Sequence, residues 1–194
     1  MTNQKKKLYI IPGFGESTRT KNYRAIIKSA RANHYDVIHL NIIWDMDKTI
    51  PDYVKEVEQQ IPKNNYNGIL LGFSFGAYIA YVVSKNKIFT NYIFCTISPY
   101  FKENLKDIPQ ESKEFFGKKF IEKLKRYSIS EGNKNNAYFL TGEKDWNIAI
   151  NTNKKAEKNW TGESKFILIK KAGHELGHKN YTEKVNQLIK KLRE

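Results

Sequence analysis

One cysteine in 194 residues, Cys95, cannot close an internal disulfide. It sits inside the apolar run Tyr92-Ile93-Phe94-Cys95-Thr96-Ile97, where a thiol serves as a small buried hydrophobe. A fold without disulfides needs no oxidising compartment, so a reducing, cytoplasmic setting is expected. Long apolar runs are missing too. No segment approaches the ~20 residues of a membrane-spanning helix, and no membrane partner is expected. The short run Leu8-Tyr9-Ile10-Ile11 follows Lys5-Lys6-Lys7 but is ended by Pro12-Gly13. With no small-residue cleavage site behind it, it does not read as a secretory signal.

Acidic residues are the minority, 20 Asp+Glu against 34 Lys+Arg, for a net charge of +14. Yet no basic block exceeds three residues, and the lysines are spread along the whole chain. That dispersal, in a sequence also rich in asparagine, argues against a nucleic-acid partner. It leaves anionic substrates, such as acyl carriers, open. Hydrophobic residues make up 40% and charged residues 28%, the balance of a globular chain, and residues 1–194 are expected to form one domain.

Apolar and amphipathic runs alternate from end to end. Strands are expected at residues 8–11, 37–43, 69–71, 92–97, 138–141 and 166–169. Helices are expected at 19–32, 51–61, 77–84, 148–160 and 182–192, with Pro51 at a first helical turn. Fully apolar strands alternating with helices predict an α/β fold: a mostly parallel, doubly wound sheet of about six strands, helices on both faces. One stretch breaks the rhythm. Residues 100–135 carry Phe115, Phe116, Phe120, Ile121 and Leu124 at helical spacing and no strand. Ligands of such sheets bind at the carboxyl ends of the strands, so this insertion reads as a short helical cap over that edge.

Gly72-Phe73-Ser74-Phe75-Gly76 spells G-x-S-x-G between an apolar run beginning at Tyr66 and the helical run 77–83. A serine on so tight a strand-to-helix turn projects its hydroxyl alone, at a helix N-terminus, with glycines letting the neighbouring backbone pass close by. That geometry suits a nucleophile, which needs a base and a group to orient the base. Asp145, in Gly142-Glu143-Lys144-Asp145, and His174, in Ala172-Gly173-His174-Glu175, each follow an expected strand, as Ser74 does. Parallel strands end on one edge, so the three converge. Glu143 is the other candidate acid. His34 and His39 read as surface or packed histidines, and His178 is the competitor for the base.

The chain order Ser, Asp, His and these strand contexts resemble the α/β-hydrolase family over nearly the whole length. The resemblance implies Ser74 as nucleophile, His174 as general base then acid, and Asp145 as the group orienting the imidazole. It also implies an oxyanion hole from the N–H of Phe75 and that of Phe14, in Pro12-Gly13-Phe14-Gly15, where Pro12 replaces the family's histidine. The expected activity is hydrolysis of a small carboxylic ester or thioester through an acyl-enzyme, with no metal or organic cofactor. Phe73, Tyr100 and Trp146 are the candidate substrate-binding residues. No feature of the sequence selects an oligomeric state.

Two rivals remain. His174-Glu175-Leu176-Gly177-His178 spells H-E-x-x-H, which on a helix would hold zinc for a peptidase. Gly173 and Gly177 weaken helicity there, and no third histidine follows; Glu183 and Glu194 are the downstream carboxylates. The other rival is a non-catalytic binding protein on the same fold.

Overall fold

The computed structural model describes residues 6–62, 67–129 and 134–193. Lys5, Tyr66, residues 130–133 of the expected insertion and Glu194 lie outside them.

Six strands form one sheet: β1 (Lys7–Ile11), β2 (Asp36–His39), β3 (Gly68–Phe73), β4 (Asn91–Cys95), β5 (Asn136–Gly142) and β6 (Ser164–Ile169). Their spatial order is β2-β1-β3-β4-β5-β6, and every pairing is parallel. The helices are α1 (Lys21–Ala32), α2 (Ile50–Gln60), α3 (Phe75–Val83), α4 (Gln110–Leu124), α5 (Asn147–Lys158) and α6 (Lys179–Lys191).

Period-two alternation sorts the strand residues onto two cores. Tyr9, Leu70, Tyr92, Phe94 and Phe139 face buried residues of α2, α3, α4 and α5. Leu8, Ile10, Ile69, Leu71, Ile93, Cys95 and Leu140 face Tyr23 and Ile26 of α1 and Tyr181, Val185 and Ile189 of α6. With both faces covered, the strands must be apolar throughout, and β3 and β4 are buried along their whole length. α3 is buried on every side, as an all-apolar helix between sheet and outer layer must be. α2 starts at Thr49, where the Asp52 carboxylate accepts the Thr49 N–H at 2.7 Å, and Pro51 occupies the first turn. No helix among the described residues is long and apolar enough to cross a membrane.

Two strands end earlier than their hydrophobicity suggests. β2 stops at His39 rather than residue 43 because α2 side chains take over the backbone: Gln60 accepts the Asn41 N–H and Glu56 the Ile43 N–H, both at 2.9 Å. β4 stops at Cys95 because Thr96 turns to φ 48°, sending the chain over the sheet edge.

The register levels the carboxyl ends. Ile11 lies beside Gly72, Phe73 beside Cys95 and Gly142 beside Ile169. The loops carrying Phe14, Ser74, Ser98, Asp145 and His174 therefore leave the same edge.

Candidate active site

Ser74 joins β3 to α3 with φ 55° and ψ −121°. Such a backbone costs about 1–3 kcal/mol and persists only where its surroundings over-determine it. Here the Ser74 N–H donates to the Cys95 carbonyl at 2.9 Å, while the Ser74 carbonyl accepts from the Ala77 and Tyr78 N–H groups. A Cβ at Gly72 would overlap the Gly76 carbonyl, and one at Gly76 would overlap the carbonyls of Ile11 and Pro12. The turn closes only with glycine at both places.

The Ser74 hydroxyl meets the His174 imidazole, Oγ to Nε2, at 2.8 Å. The other ring nitrogen, Nδ1, lies 3.1 Å from each carboxylate oxygen of Asp145. The Asp145 side chain is fully buried and also accepts the Trp146 N–H at 2.8 Å. The imidazole sits between two rings: Trp146 stacks on it at 4.8 Å with planes 20° apart, and Phe73 lies 5.3 Å away. Glu143, the other candidate acid, is exposed and accepts the Lys171 N–H instead.

Phe14 and Phe75 are brought against each other, ring centroids 5.8 Å apart. Phe75 is the first residue of α3, so its N–H is not used by the helical ladder. The loop bearing Phe14 is held by α1: the Gly13 N–H donates to the Tyr23 hydroxyl at 3.0 Å, and that hydroxyl donates to Glu16 at 2.5 Å. The Trp44 indole N–H closes the loop by donating to the Glu16 carbonyl at 2.9 Å.

The segment from His174 to His178 is not helical. His178 instead caps α6, its Nδ1 accepting the Asn180 N–H, so the two histidines do not stack one turn apart. Among the described residues, no group of three His, Cys, Asp or Glu side chains is arranged to hold a metal ion.

No protein-family model matches the sequence, and no curated protein sequence matches it. Solved structures do. The chain superposes on α/β hydrolase domain-containing protein 10 from mouse with TM-score 0.80 at 14% identity, covering 99% of this chain and 91% of that one. The ferulic acid complex of Est1E from Butyrivibrio proteoclasticus gives 0.75 at 12% identity, covering 97% and 89%. A monoacylglycerol lipase from Paleococcus ferrophilus gives 0.70 at 10% identity, covering 96% and 93%. The chain has the α/β-hydrolase fold.

On this α/β-hydrolase sheet, Tyr100 and Trp146 line an apolar recess with Ile108, Pro109 and Ile148, between the segment after β4 and the start of α5. Phe73 does not join them. It is 4% exposed, packed in the core behind His174, because the last residue of β3 points down into the α1–α6 side. Over the Phe14 loop stands α4, which breaks at Gly117 (φ 76°) and sets Phe115 and Phe116 against the Phe14 ring at 6.1 and 5.6 Å. Two contacts carry no motif in the sequence. Ser98, just past β4, brings a second hydroxyl to Ser74, and the Glu16–Tyr23 pair braces the glycine loop. The rule that loops at the carboxyl edge carry function points to Ser98; nothing local points to Tyr23.

Proposed function

We propose that the protein is a serine hydrolase that cleaves a small carboxylic ester or thioester through an acyl-enzyme on Ser74. The observation that carries this reading is the relay from Ser74 Oγ to His174 Nε2 at 2.8 Å and from His174 Nδ1 to Asp145 at 3.1 Å. The buried carboxylate accepts the Nδ1 hydrogen, which leaves Nε2 free to take the serine proton. Ser74 attacks the carbonyl carbon while its proton passes to His174. The developing oxyanion is met by the N–H groups of Phe14 and Phe75. His174 then gives the proton to the departing alcohol or thiol, and a water activated by the same nitrogen releases the acid and frees Ser74.

Residues 1–194 act in this reading as one catalytic unit, with residues 100–135 as its cap. The recess beside Trp146 and Tyr100 takes an apolar part of the substrate. The fold neighbours agree with ester chemistry, since one is named a monoacylglycerol lipase and another holds ferulic acid.

Labelling with a fluorophosphonate tests the proposal. Wild type labels, Ser74→Ala and His174→Ala do not, and a zinc chelator changes nothing. An unlabelled wild type with a chelator-sensitive peptidase activity would move the chemistry to His174, Glu175 and His178. An unlabelled, inactive wild type would favour a binding protein.

A further inference from the structure

The chain has 29 lysines but five arginines, and three of the five, Arg19, Arg24 and Arg31, line one groove together with Lys28, Thr18 and His39. A lysine-rich composition accounts for scattered ammonium groups. It does not account for guanidinium groups gathered in one place. Arg24, Lys28 and Arg31 recur at four- and three-residue steps on α1, so they share a face; Arg19 stands in the loop before α1, and His39 ends β2. Like charges at such spacing destabilise a helix unless something offsets them. Among the described residues no carboxylate pairs with any of the four.

The histidine fits the same pattern. Buried Thr18 lies with its hydroxyl 2.7 Å from His39 Nδ1. With that hydroxyl donating, the ring hydrogen is on Nε2, and the imidazole adds a donor. Burial, then the charges of Arg31 and Arg19, lower the His39 pKa, which keeps the ring neutral. The groove thus presents guanidinium, ammonium and imidazole donors. Phosphate is the complement: it offers only acceptors, carries close to two charges, and matches the planar fork of arginine in bidentate pairs. A monocarboxylate would leave most of the four cations unmatched.

We propose that the groove between α1 and the end of β2 binds a phosphate-bearing small molecule, gripped by Arg19, Arg24 and Arg31. Ser74, Asp145, His174 and Phe14 do not line it, although Thr18 and Arg19 stand in the same loop, between β1 and α1, as Phe14. The inference therefore stands whether or not the hydrolase reading does.

Calorimetric titration with pyrophosphate tests it. Wild type binds one equivalent. Arg24→Gln with Arg31→Gln weakens binding by at least about tenfold, since each lost charge-assisted contact is of that order. Lys155→Gln with Lys158→Gln, exposed on α5, removes the same net charge and leaves binding within about twofold, the change allowed by screened long-range charge. Arg24→Lys with Arg31→Lys keeps charge and fold but loses the fork, and binds several-fold more weakly. The proposal is overturned by no binding, by equal loss from the α1 and α5 pairs, or by lysine variants that bind like wild type. A single-stranded oligonucleotide that binds this groove while pyrophosphate does not would overturn it as well.

Discussion

The hydroxyl of Ser98 stands 3.3 Å from the hydroxyl of Ser74. The two are also tied through the backbone, the Ser98 N–H donating to the Ser74 carbonyl at 3.3 Å. With the His174 Nδ1 hydrogen given to Asp145, Nε2 accepts from Ser74, and in that tautomer Ser98 is the donor of the serine pair. A donor aimed at Ser74 Oγ steadies its rotamer and, in the proposed mechanism, favours the charge that gathers there as the proton leaves.

Ser98→Ala is therefore expected to slow acylation by about two- to tenfold, the range of one hydrogen bond, without loss of fold. Ser98→Thr, which keeps the hydroxyl, restores most of it. Rates of fluorophosphonate labelling for the three proteins are the measurement; an unchanged Ser98→Ala rate removes Ser98 from the chemistry.

Asp145 and Glu143 differ in what they hold. Asp145 is buried against His174, whereas Glu143 is exposed and braces the Lys171 N–H at 2.9 Å. Asp145→Asn is expected to cut kcat by about 10⁴-fold by favouring the wrong imidazole tautomer. Glu143→Gln keeps its acceptor oxygen and is expected to leave kcat unchanged. Parallel kinetics on one p-nitrophenyl ester separate the two, and the reverse order would exchange their roles.

The fold and the site differ in how far the sequence reveals them. Six apolar runs alternating with amphipathic ones suffice for a mostly parallel sheet, which the structure makes parallel throughout, and the meeting of Ser74, Asp145 and His174 follows from strand order, because parallel strands end on one edge. Where tertiary contacts decide, local pattern fails. The end of β2 is settled by Gln60 and Glu56 on α2, distant in sequence from the residues they satisfy. The direction of Phe73 is settled by its register beside Cys95, which buries it beneath His174. H-E-x-x-H is a strong pattern only on a helix, and Gly173 and Gly177 already argued against one there. The arginine groove has no motif because its members come from a loop, one helix face and a strand end.

His39 provides a pH reading of that groove. Burial first, then Arg31 and Arg19, hold its folded pKa below the ordinary 6.5; Thr18 contacts it directly, and Arg24 and Lys28 share its groove. A depressed histidine pKa means that the unfolded chain binds the proton more readily. The stabilisation is complete above the unfolded pKa and is lost as pH falls through the folded one. An NMR titration of His39 is expected to show a midpoint below 6.5, moving upward in Arg31→Gln. A midpoint indifferent to Arg31 would show that the charge does not reach the ring.

Tyr23 is the brace whose removal separates positioning from binding. Its hydroxyl accepts the Gly13 N–H and donates to Glu16, and burial, reinforced by the Glu16 carboxylate, raises its pKa far enough that it stays protonated at every working pH. Tyr23→Phe leaves the Gly13 N–H and the Glu16 carboxylate without this partner, one residue away from the Phe14 N–H. Leaving such groups unsatisfied costs about 1–3 kcal/mol of stability. If the Phe14 N–H meets the oxyanion, its misplacement weakens contacts made in the transition state. The expected result is then a fall in kcat with KM little changed. Glu16→Gln, with Tyr23 intact, keeps an acceptor for its hydroxyl and is expected to keep most of the wild-type rate. Steady-state kinetics alongside thermal unfolding test this. A Tyr23→Phe protein that loses stability but keeps its kcat would show that the Glu16–Tyr23 pair holds the fold and not the oxyanion loop.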